Sequence, residues 1–448
     1  MTVLFAPHAH LPGGLRTGVL LEITGGRFTS VRHGVPPAEV PAGAHRLPGV
    51  AVPGFADAHS HAFHRALRGR TSAGGGTFWT WREAAYDVAG RIDPDGYLEL
   101  ARAAYAEMAL AGVSTVGEFH YLHHAPGGAR YTDPNAMAEA LRQAAADAGV
   151  RLTLLDTAYL AGGLSGAGHE ELAGAQLRFG DGDVHRWAER VSALRGSAGF
   201  RVGAAVHSVR AVPAADLPVV VAAARGGLGG ADRSPLHVHV SEQPAENEAC
   251  RAFYGRTPTR LLADAGAWDA AATAVHATHL TEADVALLGG AGATACLCPT
   301  TERDLADGIG PARALLDAGA ALSLGSDQHA VADLLEEARA MEAHERLVTL
   351  ERGRFTPGQL LAALTAHASL GWEDAGRIEP GARADLVVLR TDTVGTAGAL
   401  PDQVLLTASR ADVDTVYVDG VPVVEGGRHR LGDVGALLGA AVRRVWAR

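Results

Sequence analysis

A (β/α)8 barrel carrying a small β-domain is the fold that the sequence predicts, and three observations carry the expectation. Short apolar runs rich in Val, Leu and Ala recur eight times, separated by helical or loop-like intervals. No Gly-rich phosphate loop follows the first run, as an open doubly wound sheet would more often show. Before and after the eightfold stretch the texture changes to short strands and Gly/Pro turns.

The runs are "VAVPGFADAH" from Val50, "VSTVGEF" from Val113, "RLTLLDTAYL" from Arg151, "RVGAAVHSV" from Arg201, "LHVHVSE" from Leu236, "ATAVHATH" from Ala272, "ATACLCP" from Ala293 and "ALSLGSD" from Ala321. Strand then helix, repeated, is the order of a barrel with an outer ring of helices. Among the intervals, "LELARAAYAEMALAG" closes on Gly112, and "TPGQLLAALTAHASLG" reads as one helix with Thr356 as N-cap, Pro357 in its first turn and Gly371 as C-cap. Residues 51–376 are thus assigned to the barrel. Residues 1–50 ("GVLLEITGGRFTSV") and 377–448 ("GARADLVVLR", "VDTVYVDGVPVVEGGRH") are assigned to one discontinuous β-domain of sandwich type.

Composition narrows the chemistry. Of 448 residues, 47% are hydrophobic, which is enough to fill such a core. The formal charge of −11 argues against nucleic-acid binding through a broad basic surface. The absence of an eighteen-residue apolar run and of a basic-then-apolar leader predicts neither a membrane span nor a signal peptide, hence a cytoplasmic protein. Three cysteines, Cys250, Cys296 and Cys298, suit a reducing compartment, with Cys296 and Cys298 read as buried strand thiols. All 39 basic residues are arginine. Schiff-base catalysis by lysine, and a metal pair bridged by a modified lysine, are therefore excluded.

His59 and His61 close the first run, and residues i and i+2 of a strand face the same side. His239 ends the fifth run, His276 the sixth and Asp327 the eighth. In a barrel these strand ends meet at one face, where active sites of the fold are built. Three imidazoles and one carboxylate with an open position suit a single Zn2+, although Fe2+ or Mn2+ accepts the same set. His237 is assigned to barrel packing, and His279, His329, His120, His123 and His124 to loops or to support of the site. Arg65, Arg68 and Arg70, which follow the first run closely, are read as ion pairs of the fold ahead of substrate contacts.

At these intervals "GFADAHSHAFHRAL", "VHVSEQ", "VHATH" and "GSDQH" resemble the amidohydrolase superfamily. The further strings "FWTWRE", "EFHYLHH" and "HSVRA" are similar to the formimidoylglutamate deiminases within it. The resemblance covers nearly the whole chain. It implies a zinc ion on His59, His61, His239 and Asp327, and no organic cofactor. Catalytic roles are implied for Glu242 as proton carrier to the leaving nitrogen, His276 as hydrogen-bond donor and Asp327 as acceptor of the water proton. Substrate contacts are implied at His64, Arg82, Tyr121, His207 and Arg210, with His64 standing where the relatives carry Gln. The implied reaction is hydrolysis of N-formimidoyl-L-glutamate to N-formyl-L-glutamate and ammonia, a step of histidine breakdown, by a homodimer with a small dicarboxylate as its partner molecule. Two other readings compete: a deaminase of the same superfamily acting on a nucleobase-like or other amidine substrate, and a scaffold that has kept the barrel without its activity.

Overall fold

The computed structural model describes residues 1–71 and 76–447. Eight parallel strands form the central sheet: β1 (Phe55–Ser60), β2 (Val113–His120), β3 (Arg151–Ala158), β4 (Phe200–Val206), β5 (Leu236–Val240), β6 (Ala272–His276), β7 (Thr294–Leu297) and β8 (Ala321–Leu324). Each pairs with its neighbours in chain order, as right-handed crossovers through helices require. The ring closes from β8 to β1 just past the strand ends. There the Asp327 N–H donates to His59 O (2.9 Å) and the His61 N–H donates to Asp327 O (3.1 Å), a parallel bridge centred on Ser60 and Asp327. Gly325 permits the approach: a Cβ there would lie 2.7 Å from His59 Cβ and His59 O.

The first apolar run divides between two sheets. Gly49–Pro53 pairs antiparallel with Leu386–Arg390 in the terminal sheet, and only Phe55–Ser60 enters the barrel. The break falls on Gly54, where a Cβ would sit 2.5 Å from Ser114 Oγ. Periodicity cannot see such a division, because both halves are buried and read as one hydrophobic stretch.

Nine strands from both termini form that second sheet, and Gly49–Pro53 joins its halves by pairing with Thr2–Leu11 on one side and Leu386–Arg390 on the other. Its apolar face is built from Leu4, Val19, Leu21, Phe28, Leu386 and Val388. A buried ion pair ties it to the floor of the barrel: Arg151 on β3 donates to Asp385 through both Nη atoms, and Asp385 also accepts the Asp419 N–H (3.0 Å).

Two further expectations are corrected. The stretch 356–371 is not one helix. Pro357–Leu364 is helical, with Thr356 Oγ1 accepting the Gln359 N–H, and a separate 3-10 turn, His367–Leu370, ends on Gly371 at φ +79°. The break lets His367 Nε2 donate to Gly54 O (2.8 Å) beneath the barrel, a tertiary bond that local propensity does not encode. Second, the β-domain does not extend to the C-terminus. Helix Val434–Trp446 buries Val434, Leu438, Ala441 and Val445, and its Trp446 Nε1 donates to Ala66 O (3.0 Å) in the barrel layer. An apolar stripe at helical spacing needs a helical surface to cover it.

The arginines after β1 serve the fold. Arg65 Nε and Arg68 Nη1 each donate to Glu107 at 2.6 Å, Arg410 Nη1 joins at 3.1 Å, and the Arg70 guanidinium lies 5.0 Å from the Trp446 ring centroid. Burial alone would raise the Glu107 carboxyl, but Arg68 and Arg65 outweigh it and hold it down to about 2 from an ordinary 4.5. A depressed carboxyl contributes stability that is present above its unfolded value and lost as pH falls towards its folded one. Glu107→Gln is therefore expected to cost about 1.5–3 kcal/mol at pH 7, the range for hydrogen bonds to charged groups. In urea titrations the gap from wild type should close between about pH 4.5 and 2; a gap unchanged over that window contradicts the assignment.

Candidate active site

The strand ends deliver the four proposed ligands to one point. His59 Nε2 lies 3.0 Å from His239 Nε2, and Asp327 Oδ1 lies 3.4 Å from both His59 Nε2 and His61 Nε2. Carbonyl groups hold two of the rings from behind. His61 Nδ1 donates to Phe119 O and His239 Nδ1 donates to His207 O, each at 2.9 Å. Burial lowers the pKa of His59, His61 and His239, which favours the neutral ring. With the proton committed to Nδ1, Nε2 of His61 and of His239 presents a lone pair to the shared point. Two imidazole lone pairs and a carboxylate converge there with Nε2 of His59, whose Nδ1 has no partner among the described residues, and this donor set of three nitrogens and one oxygen fits Zn2+.

Asp327 is held below the ordinary carboxylate range, because the imidazoles of His59, His276 and His61 outweigh the effect of burial. His276 Nε2 stands 3.6 Å from Glu242 Oε1 and 3.9 Å from Asp327 Oδ2, between the two carboxylates assigned to proton transfer. Behind it, Glu302 Oε1 lies 3.5 Å from His276 Nδ1 and accepts the Cys298 N–H at 2.8 Å. These carboxylates raise His276 well above its ordinary value against the effect of burial. Burial pushes Glu242 up, opposed by His276 and Arg210.

The backbone is strained where these side chains are placed. Ser241 (φ 54°), His276 (66°), Ala277 (51°), Asp327 (43°) and His329 (58°) are non-glycine residues in the left-handed region; His276 ends β6, and the other four follow β5, β6 or β8 at the site. Such conformations cost on the order of 1–3 kcal/mol each and persist where the surroundings over-determine them.

All the expected substrate residues line one cavity with His61, His239, Glu242, His276 and Asp327. His64 is buried and neutral, its pKa pushed down to about 3 mainly by burial, with Nε2 3.0 Å from the Tyr121 hydroxyl. His207 packs against Tyr159, ring centroids 4.4 Å apart. Arg210 is buried between two carboxylates, 3.4 Å from Glu242 Oε2 and 3.6 Å from Glu246 Oε2. Arg82 stacks on Trp79 and Tyr86, at 4.5 and 5.5 Å, and has no carboxylate partner among the described residues.

His237 donates to Ser369 O deep in the barrel, and His279 to Asp307 O. His329 bonds Ser60 Oγ at 2.9 Å. His120, His123 and Asp156 form a second buried group, but Asp156 already accepts two bonds from Arg190 and one from Trp187. The cysteines are free and buried.

Several cavity residues escaped the sequence reading: Trp81, Tyr86, Tyr159 and Leu305 in its wall, and Glu246 and Glu302 behind it. A signal for part of this wall was present. Phe78, Trp81, Arg82, Ala85 and Tyr86, all lining residues, are spaced i, i+3, i+4, i+7, i+8 along helix Phe78–Arg91, one face of a helix. Glu246 and Glu302 had none, since their roles depend on neighbours distant in the chain.

Residues 50–423 match the model of the amidohydrolase family. The chain belongs to the amidohydrolase family. It is 37% identical to the formimidoylglutamate deiminase of Pseudomonas aeruginosa, over 96% of each chain. Among solved structures it resembles an amidohydrolase from Brucella melitensis, with a TM-score of 0.89, 32% identity and full coverage of both chains. An adenosine deaminase from Xanthomonas campestris with bound zinc shares the fold at a TM-score of 0.83 and 23% identity, covering 100% of this chain and 99% of that one. No helix among the described residues of this amidohydrolase is long and apolar enough to cross a membrane.

With one convergent ligand set and no lysine to bridge a pair, elemental analysis is expected to find one tightly bound, activity-linked ion per chain. Asp327→Asn removes the charge expected of a ligand and the expected proton acceptor, and should reduce turnover to background. Two activity-linked ions, or an active Asp327→Asn enzyme, contradict the arrangement.

Proposed function

We propose that this amidohydrolase converts N-formimidoyl-L-glutamate and water to N-formyl-L-glutamate and ammonia. The observation that carries the reading is Arg82, a guanidinium without a carboxylate partner among the described residues, in the wall of a cavity that Arg210 also lines. In a protein of formal charge −11, such a site favours an anionic substrate. Relatedness to the Pseudomonas aeruginosa deiminase over almost the full length supports the same choice.

His59, His61, His239 and Asp327 would hold the metal. A bound Zn2+ supplies Lewis acidity and lowers the pKa of water to about 7. Asp327 takes a proton from water as the C–O bond forms at the formimino carbon. Glu242 delivers one proton to the imino nitrogen, which becomes an amino group. The proton that Asp327 took from water then passes to the same nitrogen, the C–N bond breaks with ammonia as the leaving group, and the remaining hydroxyl proton returns to Glu242 as the formyl C=O forms. His276, held from behind by Glu302, donates a hydrogen bond to the oxygen bearing the developing charge. Arg82 and Arg210 orient the dicarboxylate so that the formimino carbon faces these groups.

Glu242→Gln keeps shape but cannot carry the proton, and kcat should fall about 10²–10⁴-fold with metal content unchanged. A variant near wild-type rate would move the proton transfer to another group.

The arginines are separable by kinetics. Arg82→Ala and Arg210→Ala should each lower kcat/KM about 10²-fold or more, with only partial recovery in the Lys variants, which lack the planar fork. Arg68→Ala, a change in the fold's own ion pairs, should stay within about tenfold, and less at high salt. Ammonia release assayed across formimidoyl-glutamate, formimidoyl-aspartate and a neutral purine nucleoside tests the reading directly. Turnover of the nucleoside alone would replace it with the nucleobase-type deaminase.

A further inference from the structure

Beyond the arginines, the cavity wall contains a hydroxyl pair whose hydrogen bonds do not close among the described residues. The Tyr86 and Tyr159 hydroxyls lie 3.2 Å apart, and both residues line the cavity. Gln176 Nε2 stands 3.3 Å from each of them. Two backbone groups fix how that amide is turned: Nε2 donates to Gly162 O at 2.8 Å, and Oε1 accepts the Ala173 N–H at 3.2 Å. The amide therefore faces the tyrosines as a donor and offers them no acceptor.

The count then runs in one direction. Two phenols carry two O–H donors. One donates to the other phenol, whereas the second finds no acceptor among the described residues. Burial raises both the cost of ionising Tyr159 and the cost of leaving its donor unmet. Trp81 Nε1, of another residue lining the cavity, is also buried without a partner among the described residues, and Arg82 packs on the Tyr86 ring. This side of the cavity presents donors that await an acceptor.

We propose that the Tyr86–Tyr159 pair, oriented by Gln176, donates a hydrogen bond to one carboxylate of the substrate and so helps select a dicarboxylate. The inference rests on the functional reading above and deepens it. A neutral hydroxyl suits this place because it holds an anion without adding a third positive charge beside Arg82 and Arg210.

The test compares wild type, Tyr86→Phe, Tyr159→Phe and the double variant on three substrates. These are N-formimidoyl-L-glutamate and the formimidoyl derivatives of 4-aminobutyrate and 2-aminobutyrate, each of which lacks one carboxylate. On the dicarboxylate the double variant should lose on the order of 10–100-fold in kcat/KM, carried by KM with kcat little changed. Each single variant should lose less, because the surviving hydroxyl can turn to the ligand. Against one of the two monocarboxylates, the one missing the carboxylate that the hydroxyls hold, the double variant should match wild type. Equal losses on all three substrates would assign the tyrosines a packing role and overturn the proposal, as would no loss on any. Wild type inactive on the dicarboxylate overturns the functional reading and this inference together. An active wild type with an unaffected double variant overturns the hydroxyl assignment alone.

Discussion

The parallel bridge between β1 and β8 is the constraint on which the site depends. A barrel must close somewhere, and here closure and ligand placement use the same residues. His59 and His61 contribute a carbonyl and an N–H to the bridge, and Asp327 contributes both of its backbone groups. Their side chains reach the common point because the seam brings two chain segments more than 260 residues apart into register. Around it, Ser60 Oγ meets Glu118 and His329, and Glu118 also accepts the Ala62 N–H at 2.7 Å, so the turn after β1 is held from below. Strain at Asp327 and His329 is tolerated because these bonds leave the backbone no relaxed alternative.

Charge is handled by pairing at the periphery and by leaving specific groups unmatched in the cavity. Arg65 and Arg68 are matched by Glu107, Arg151 by Asp385, and Arg190 by Asp156 and Asp181. Breaking a buried pair is costly, so these arginines are committed to the fold. Arg210 is in an intermediate state. Glu242 and Glu246 balance its charge, so an arriving carboxylate must share the guanidinium with them. Among the described residues Arg82 is balanced only by aromatic faces, which are weaker partners than a carboxylate. The cavity thus keeps its positive field without a buried, wholly unsupported ion.

Much of the fold and of the convergence of His59, His61, His239 and Asp327 was legible because both are written in short, local patterns. A strand of alternating residues announces which side chains share a face, and that alone pairs His59 with His61. The remaining barrel strands lie where their apolar runs stand, with ends shifted by a few residues at most. The division of the first run at Gly54, the split of 356–371 and the docking of the C-terminal helix were not legible. Each depends on what a residue meets across the molecule: Ser114 beside Gly54, the Gly54 carbonyl for His367, a barrel helix for Val434–Trp446.

By itself the sequence determined the repeating strand-and-helix order, the exclusion of lysine chemistry, and the placing of His59, His61, His239, His276 and Asp327 at strand ends. Composition and periodicity suffice for these, since each is a property of one residue type or one short segment. Only the tertiary structure decided which arginines are already paired, how Glu302 backs His276, and that Gln176 turns its amide towards Tyr86 and Tyr159. The physical reason is that a hydrogen-bond donor's availability is not a property of its residue. It depends on every acceptor within about 3 Å, and those acceptors come from strands and loops that only folding brings together.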